Sequence, residues 1–527
     1  MKRVLVSDPL SPRGIEILQG PPELQVDVRP GLPPGELKRV VGGYDALVVR
    51  SGTRVTADVI EAATALKVIG RAGIGVDNVD VAAATQRGIV VMNTPGGNAV
   101  TTAEHALALL VSLVRHIPQA TRSMKQGRWE KKAFPGRELR GKTLGVLGLG
   151  NIGRIVADRA RGFKMRVVAH DPYVSADRAA ELGVELVDFE ELLGRSDLLT
   201  VHVPLVEATR NLLDADAFER MKPGAYLVCA ARGGIVDEEA LLQALESGRI
   251  AGAALDVFAQ EPPGPTPLVT HPRVVCTPHL GASTVEAQEA VAVEVAGQIV
   301  DYLVWGTIRN AVNAPSLPAE ALERVRPYLA LARSLGRLQA QLGVPGLQAV
   351  ELAYSAKIPP RKIPLLTASV LEGLLGASLG DRVNVVNAPL LARQRGIHVK
   401  EIAAGAGEGY AAAIRLRVET DQGRFSVAGA VFGQRDPRVV EIDGHDLEAI
   451  PSGYLLVFWN HDRPGVVARV GQTLGRRNIN IAQMQLGRKV PGDRAVAVVN
   501  VDSPVGPEVL EEIRRLPGMI HATTAHL

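Results

Sequence analysis

Short apolar runs separated by glycine or polar turns open the chain: Val4–Ser7, Ala46–Arg50, Val68–Gly70 and Val90–Met92. Helix-like stretches, Thr56–Ala65 and Val79–Arg87, lie between them. Strands alternating with helices predict a parallel sheet. A turn at Pro95–Gly97 closes this part, and an Ala/Leu-rich helix follows over Thr101–Arg115. Adjacent helical positions point in different directions, so Glu104 and His105 read as junction residues, not as an acid/base pair. A second strand–helix series runs from about Leu139 to about Gly281. Its strands fall at Met165–Ala169, Leu198–Val203, Ala225–Cys229, Gly252–Leu255 and Val274–Cys276. The helix Thr284–Trp305 then leads to a Pro/Asn-rich linker, Asn310–Pro318. So long a helix is expected to return to the first unit, which makes the second unit an insertion.

Beyond the linker the pattern changes. Residues 319–450 read as an Ala/Leu/Arg-rich helix and strands such as Leu347–Ala353, Ala412–Val418 and Arg424–Val431, with no catalytic constellation. Residues 453–527 read β-α-β-β-α-β: Tyr454–Trp459, Val466–Arg477, Ile479–Leu486, Ala495–Val501, Pro507–Arg515 and Met519–Ala525. That order is a ferredoxin-like split βαβ.

A chain of 527 residues implies three or four domains. Hydrophobic residues make up 46% and aromatics only 4%, so Ala, Val, Leu and Ile fill the cores, which favours α/β packing. A net charge of +3 does not point to nucleic acid or an anionic membrane. The two cysteines, Cys229 and Cys276, sit in apolar runs without disulfide or metal-ligand spacing, so no metal is expected. With no signal-peptide segment and no unbroken apolar span of bilayer length, a soluble cytoplasmic protein is the default expectation.

Lys142–Gly153 carries the clearest chemistry. A strand runs into Gly148, Gly150 and Gly153, a G-x-G-x-x-G loop, and a helix-like stretch follows over Asn151–Gly162. Such a loop turns tightly, brings backbone close to a pyrophosphate and opens a helix whose free N–H groups face it. Asp171 follows 18 residues after Gly153. Its carboxylate suits a ribose 2′-OH and repels a 2′-phosphate, and no Lys or Arg follows until Arg178, so NAD is preferred over NADP. Arg232, Glu261 and His279 each lie just past a strand, where open α/β sheets bind ligands. A neutral His can take a hydroxyl proton, a carboxylate can orient it, and a planar Arg can bind a substrate carboxylate. The trio fits a 2-hydroxy acid. Singly, each residue also reads as a turn cation, a loop start or a helix-entry residue.

The segments Gly70–Gly73, Gly75–Asn78, Asn93–Pro95, Gly148–Gly153, Ala231–Asp237, Ala254–Phe258 and Pro278–Ala282 resemble the D-2-hydroxyacid dehydrogenase family, and the likeness spans essentially the whole chain. The resemblance implies an α/β fold with a Rossmann-like NAD domain (98–286) inserted in a flavodoxin-like substrate domain (1–97 and 287–315). It also implies an α+β intervening domain (316–450) and an ACT regulatory domain (453–527). By resemblance Arg232 binds substrate, Glu261 orients His279, and His279 is the acid/base. The NAD site would comprise Gly148, Gly150, Asn151, Ile152, Gly153, Asp171, Ala230, Ala231, Arg232, Asp256, His279, Leu280, Gly281 and Ala282. The family often has Thr where this chain has Ile74, and Thr or Cys where it has Val203. One or two cofactor hydrogen bonds are therefore absent or made by backbone.

Within the family the long-form branch acts on 3-phosphoglycerate, oxidising it to 3-phosphohydroxypyruvate at the entry to L-serine synthesis. Candidates for substrate and its phosphate are Arg50, Ser51, Gly52, Arg71, Gly73 and Lys131 or Lys132. Residues 122–140 hold seven Lys/Arg against two Glu. A solvated basic face is the plain alternative, and nucleic acid lacks an aromatic platform or reading helix here. The resemblance implies that this region reaches a neighbouring subunit's active site, in a homotetramer. It further implies that Asp462 and Asn480, with Asn460 and His461 nearby, hold an effector, L-serine; a ligand-free dimerisation domain stays open. Arg438 and His445 are anion-site candidates in the intervening domain. Rival functions are a glyoxylate or hydroxypyruvate reductase and a non-enzymatic NAD-sensing corepressor.

Overall fold

The apolar runs of residues 1–97 pair as a parallel sheet because each is buried on both faces. In the computed structural model, which describes all residues except 318, 344–345, 356–357, 405–412 and 434, its strands are β1 (Lys2–Val6), β2 (Leu24–Val28), β3 (Ala46–Val49), β4 (Val68–Arg71) and β5 (Val90–Met92). Their order is β2-β1-β3-β4-β5, the flavodoxin-like arrangement. The edge strand β2 has only Leu24 buried, so its sequence carries no run to read. Pro318 and Ala412, ends of an expected linker and an expected strand, lie outside the described residues.

The chain leaves this sheet through α1 (Ala99–Val114) and enters a second parallel sheet. Its strands are β6 (Thr143–Leu147), β7 (Arg166–His170), β8 (Glu185–Leu186), β9 (Leu198–Val201), β10 (Ala225–Cys229), β11 (Ile250–Leu255) and β12 (Val274–Cys276). The order β12-β11-β10-β9-β6-β7-β8 reverses between β6 and β9, where dinucleotides bind in such sheets. The helix α2 (Asn151–Gly162) follows β6. The chain returns through α3 (Val285–Trp305), whose Val291, Val295, Ala296, Ile299 and Leu303 share a core with Val4 and Val6 of β1. The second sheet is thus inserted into the first unit.

After the linker, α4 (Ala319–Gln341) and α5 (Ile363–Leu379) cover a six-stranded sheet: β13 (Leu347–Ser355), β14 (His398–Ala404), β15 (Ala413–Thr420), β16 (Gly423–Phe432), β17 (Asp436–Ile442) and β18 (His445–Ala449). The last sheet holds β19 (Tyr454–His461), β20 (Ile481–Arg488), β21 (Arg494–Val501) and β22 (Met519–His526) in the order β20-β21-β19-β22, antiparallel throughout. This is the ferredoxin-like arrangement. Two helices and Leu456 and Phe458 make a core on one face of that sheet. The other face, with Leu455, Val457, Val496 and Val498, joins the core of the preceding unit.

The segment Pro360–Leu379 is long and apolar enough to cross a membrane. It is apolar all round because it is a core helix: ten residues of α5, Leu365 to Leu375, are buried between α4 and neighbouring elements.

The α4–α5 contact depends on two glycines. A Cβ on Gly336 would lie 2.1 Å from the Val370 carbonyl oxygen, and one on Gly373 would lie 2.1 Å from that of Arg333. Backbone meets backbone there, and neither side can yield. Gly336→Ala is expected to cost about 1–3 kcal/mol, the usual range for overpacking. Calorimetry of the whole chain should show a lower midpoint for the transition of this unit; an unshifted midpoint would refute the contact.

Candidate active site

The loop after β6 has the features of a pyrophosphate cradle. Gly148 sits at φ 93°, a left-handed conformation that favours glycine. A Cβ on Gly153 would come within 1.9 Å of the Gly148 carbonyl oxygen. The N-cap of α2 is Gly150, with no capping side chain and open space before it, so the first N–H groups of the helix are free for an anion. Asp171, one residue past β7, accepts the Leu149 N–H at 2.8 Å and the Tyr173 N–H at 2.9 Å. The glycine loop and the carboxylate are thereby fixed to each other. These residues fit NAD.

Two clefts flank the junction of the first two sheets. One, of about 600 Å³, is lined by Asn151, Ile152, Ala230, Ala231, Arg232, Gly281 and Ala282, and also by Ile74 and Val203. The other, of about 440 Å³, is lined by Arg50, Ser51, Gly73, Glu261 and Ser283. Arg71, Asn98, His279 and Ala282 line both. His279 therefore stands where the two clefts meet. Its Nδ1 lies 2.7 Å from Glu261 Oε2, and the Phe258 N–H donates to Glu261 Oε1 at 3.1 Å. The carboxylate fixes the Nδ1–H tautomer, which leaves Nε2 as the working nitrogen.

Asp256 lies beneath this site with no exposed surface. Its Oδ1 accepts the Leu280 N–H at 2.7 Å and the Thr277 hydroxyl at 2.6 Å; Oδ2 accepts the Gly281 N–H at 2.8 Å. Burial pushes its carboxyl up, but hydrogen bonds from His105, Thr277 and Leu280 outweigh that and hold it below the usual carboxylate range. Asp256 thus lines the floor of the cofactor cleft and holds the loop that follows it. Leu280 contributes through its N–H and turns a partly exposed side chain away from both clefts.

Three arginines converge on the substrate side. Burial, reinforced by the charges of Arg232 and Arg50, lowers the Arg71 guanidinium to about 10. Its Nε is buried without a partner among the described residues. Arg232 is held by Asp77, Nε to Oδ2 at 2.8 Å. A Cβ on Gly75 would fall 1.9 Å from an Arg232 terminal nitrogen, so glycine is needed to let the guanidinium in. Mutually repelling, under-partnered cations at a cleft make an anion site. The Arg50–Gly52 loop is held by Asp8, which accepts the Arg50 N–H at 2.6 Å and the Thr53 N–H at 3.0 Å, and by Asn78, which donates to the Arg50 and Thr53 carbonyls at 2.6 Å each. Gly52 packs directly on Asp8. Asp8, Asp77, Asn78 and Thr277 were not legible as site residues, because their partners are distant in sequence; Asn98 lines both clefts with its Oδ1 unpartnered among the described residues. Lys131 lies on an exposed turn, Lys131–Ala133, and lines neither cleft of its own chain.

Two pairs of candidate residues stand apart within one chain. Asp462 and Asn480 do not converge within one chain. The β20 end beside Asn480 pairs Ile481 with Val501, which pairs with Tyr454; Asp462 follows His461 at the far end of β19, opposite Arg494. The length of a strand, roughly 20 Å, separates them. Asp462 accepts from Arg488 at 3.0 Å and from the Gly492 N–H at 3.1 Å, which hold its carboxyl below the usual range. Asn480 donates to Asp502 at 2.7 Å. Asn460 is buried, with its Oδ1 unpartnered among the described residues. Arg438 and His445 also stay apart: His445 pairs with Ile442 at the hairpin turn, whereas Arg438 lies near the other end of β17, bonded to Asp436.

Comparison with known proteins agrees with this geometry. Residues 107–281 match the NAD binding domain of the D-isomer specific 2-hydroxyacid dehydrogenases, 324–443 the D-3-phosphoglycerate dehydrogenase intervening domain, and 454–518 the ACT domain. The D-3-phosphoglycerate dehydrogenase of Methanocaldococcus jannaschii is 45% identical, over 98% of each chain. That of Bacillus subtilis is 40% identical, over 99% of this chain and 98% of its own. Among solved structures, a glyoxylate reductase from Paecilomyes thermophila aligns at 30% identity and TM-score 0.55, covering 59% of this chain and 98% of its own. An NAD-dependent formate dehydrogenase from Staphylococcus aureus, in complex with NAD, aligns at 30% identity and TM-score 0.53, covering 59% of this chain and 98% of its own. The chain belongs to the D-isomer specific 2-hydroxyacid dehydrogenase family, in its D-3-phosphoglycerate dehydrogenase branch.

Proposed function

We propose that the chain oxidises 3-phosphoglycerate to 3-phosphohydroxypyruvate with NAD, the first step of L-serine synthesis. The observation that carries the reading is the His279–Glu261 pair at the meeting point of two clefts, beside Arg71, Arg232 and Arg50. A reductase of small unphosphorylated acids has less use for three arginines, and the glyoxylate reductase neighbour covers 59% of this chain whereas the D-3-phosphoglycerate dehydrogenases align end to end.

In this reading residues 1–97 with 287–315 carry Arg50 and Arg71, and 98–286 carry the cofactor loop together with Arg232, Glu261 and His279. Bound NAD supplies the hydride acceptor, held by Gly148–Gly153 and Asp171. Arg232, with its Nε held by Asp77, presents a terminal nitrogen to the substrate carboxylate. Arg71 and Arg50 take the phosphate, and burial of Arg71 strengthens that attraction. His279 Nε2 accepts the proton of the C2 hydroxyl, and Glu261 stabilises the imidazolium that forms. In the reverse direction the same nitrogen returns the proton to the carbonyl oxygen.

Exposed Ile117, Met124 and Trp129 beside the basic segment 122–140 support self-association, and a homotetramer is the expected assembly. The ACT match supports an amino-acid effector, here L-serine. Because Asp462 and Asn480 stand at opposite ends of one sheet, a site using both needs two chains.

His279→Ala should lower kcat on 3-phosphoglycerate at least 100-fold, within the usual range for a lost acid/base, while NADH binding measured by fluorescence is retained. Full kcat would sink the assignment. Asp171→Ala should raise the KM for NAD roughly tenfold, the worth of one charge-assisted hydrogen bond, and narrow the preference over NADP; steady-state rates with both cofactors check this. Light scattering should give a mass about four times the 55.9 kDa chain. L-serine should reduce turnover of that assembly, and indifference to it would leave the C-terminal domain an assembly module only.

A further inference from the structure

His105 has no part in the reaction described above, yet it is tied to the catalytic loop. It lies on α1, which packs against β10, β11 and β12. Its neighbour Glu104 points away and pairs with Arg159 on α2 at 2.7 Å. The His105 ring turns inward. Its Nε2 lies 3.2 Å from Asp256 Oδ1 and 3.1 Å from Thr277 Oγ1. Ionised Asp256 can only accept, so Nε2 must carry the hydrogen. Thr277 gives its own proton to Asp256 at 2.6 Å and has a lone pair left for the same Nε2–H. One imidazole N–H is thus shared by two oxygens.

That contact bears on a strained residue. His279 has φ 55°, an uncommon backbone conformation outside glycine, which persists only where its surroundings enforce it. The enforcement comes from Asp256. Its carbonyl accepts the His279 N–H at 2.9 Å, and its carboxylate accepts the Leu280 and Gly281 N–H groups on the far side. Asp256 must be ionised and correctly rotated to do this. A fully buried carboxylate keeps its charge only while donors surround it. Of the four donors, three belong to the loop being held; His105 alone comes from elsewhere in the fold.

We infer that His105 is a positioning residue, which anchors Asp256 from α1 and thereby holds His279 in its working conformation. The inference deepens the proposed reaction and rests on it for the meaning of kcat. His105 touches neither substrate nor cofactor, and its effect runs wholly through Asp256 and Thr277. Without it the buried carboxylate turns or admits water, and residues 277–281 relax. A displacement of about 1 Å at a reacting group costs on the order of a hundredfold in rate.

The test compares His105→Ala with His105→Gln, whose amide can place an N–H near the position of Nε2. With 3-phosphoglycerate, His105→Ala should lose roughly ten- to a hundredfold in kcat, and His105→Gln should recover most of it. The KM for NAD should change less than kcat in either, because the glycine loop and Asp171 keep their places, although Asp256 and Gly281 line the cofactor cleft. Hydrogen exchange, measured on the whole chain without substrate, should show faster exchange of the Leu280 and Gly281 amides in His105→Ala and near-normal exchange in His105→Gln. If His105→Ala does not fold, Thr277→Val removes the other half of the contact and should show the same faster exchange. Unchanged exchange and kcat in His105→Ala, or equal loss in Ala and Gln variants, would overturn the inference. If the wild-type chain does not turn over 3-phosphoglycerate, the proposed function fails, while the exchange comparison still decides the role of His105.

Discussion

The site depends on one buried carboxylate. Asp256 is a charge with no solvent contact, surrounded by donors, and the catalytic loop is built around it. An ionised group at such a position is costly unless every lone pair is used. Here the cost is offset by fixing three consecutive residues, 279–281, in a conformation that His279 would not adopt alone. Glu261 then needs only to orient the ring. Asp256 sets the backbone and Glu261 sets the imidazole, and neither can substitute for the other.

The inserted topology makes this site two-sided. Because α1 and α3 are the two crossings between the sheets, residues of both units face each other across the junction. Arg71 and Arg50 come from the first sheet, His279 and Arg232 from the second. Asp77 reaches across to Arg232, and Asn93 donates to the Ile74 carbonyl beside it. The arginines repel one another, and an anion between them would relieve that repulsion. A side chain at position 75 would displace the Arg232 guanidinium from its place beside Asp77.

How much of this was legible in the sequence follows from what each residue answers to. The stretches 90–92, 151–162, 225–229 and 274–276 are the same in the chain pattern and in the structure, since short buried runs and a glycine turn before a helix are local signals. β2 and β8 escaped notice: short edge strands with mixed exposure carry no period. Arg232, Glu261 and His279 were visible because each follows a strand end. Asp8, Asn78 and Thr277 were not, because their meaning lies in partners that only the folded chain brings together. His105 was read as a junction residue from helix geometry, which was right about Glu104 but could not show the ring reaching Asp256. That Asp462 and Asn480 stand apart within one chain was likewise not legible: motif resemblance carries no distance, and strand register does.

The C-terminal half is governed by packing, and that limits how it can act on the cleft. One face of the last sheet shares a core with the preceding unit, and Gln341 caps β22 by both donating to and accepting from the His526 backbone. These two units therefore move as one body if they move at all. Their contact with the first unit is narrower. Asn384 donates to the Gly88 carbonyl at 2.8 Å, Val386 enters the first core, and a cavity of about 280 Å³ lies beside them, lined by Lys2, Tyr302 and Arg333. Gly88 leads directly into β5, and β5 into Asn93, which bonds the loop of Ile74. Within one chain, the C-terminal units thus meet the arginine-bearing unit beside a cavity, and this seam is less packed than the shared core behind it.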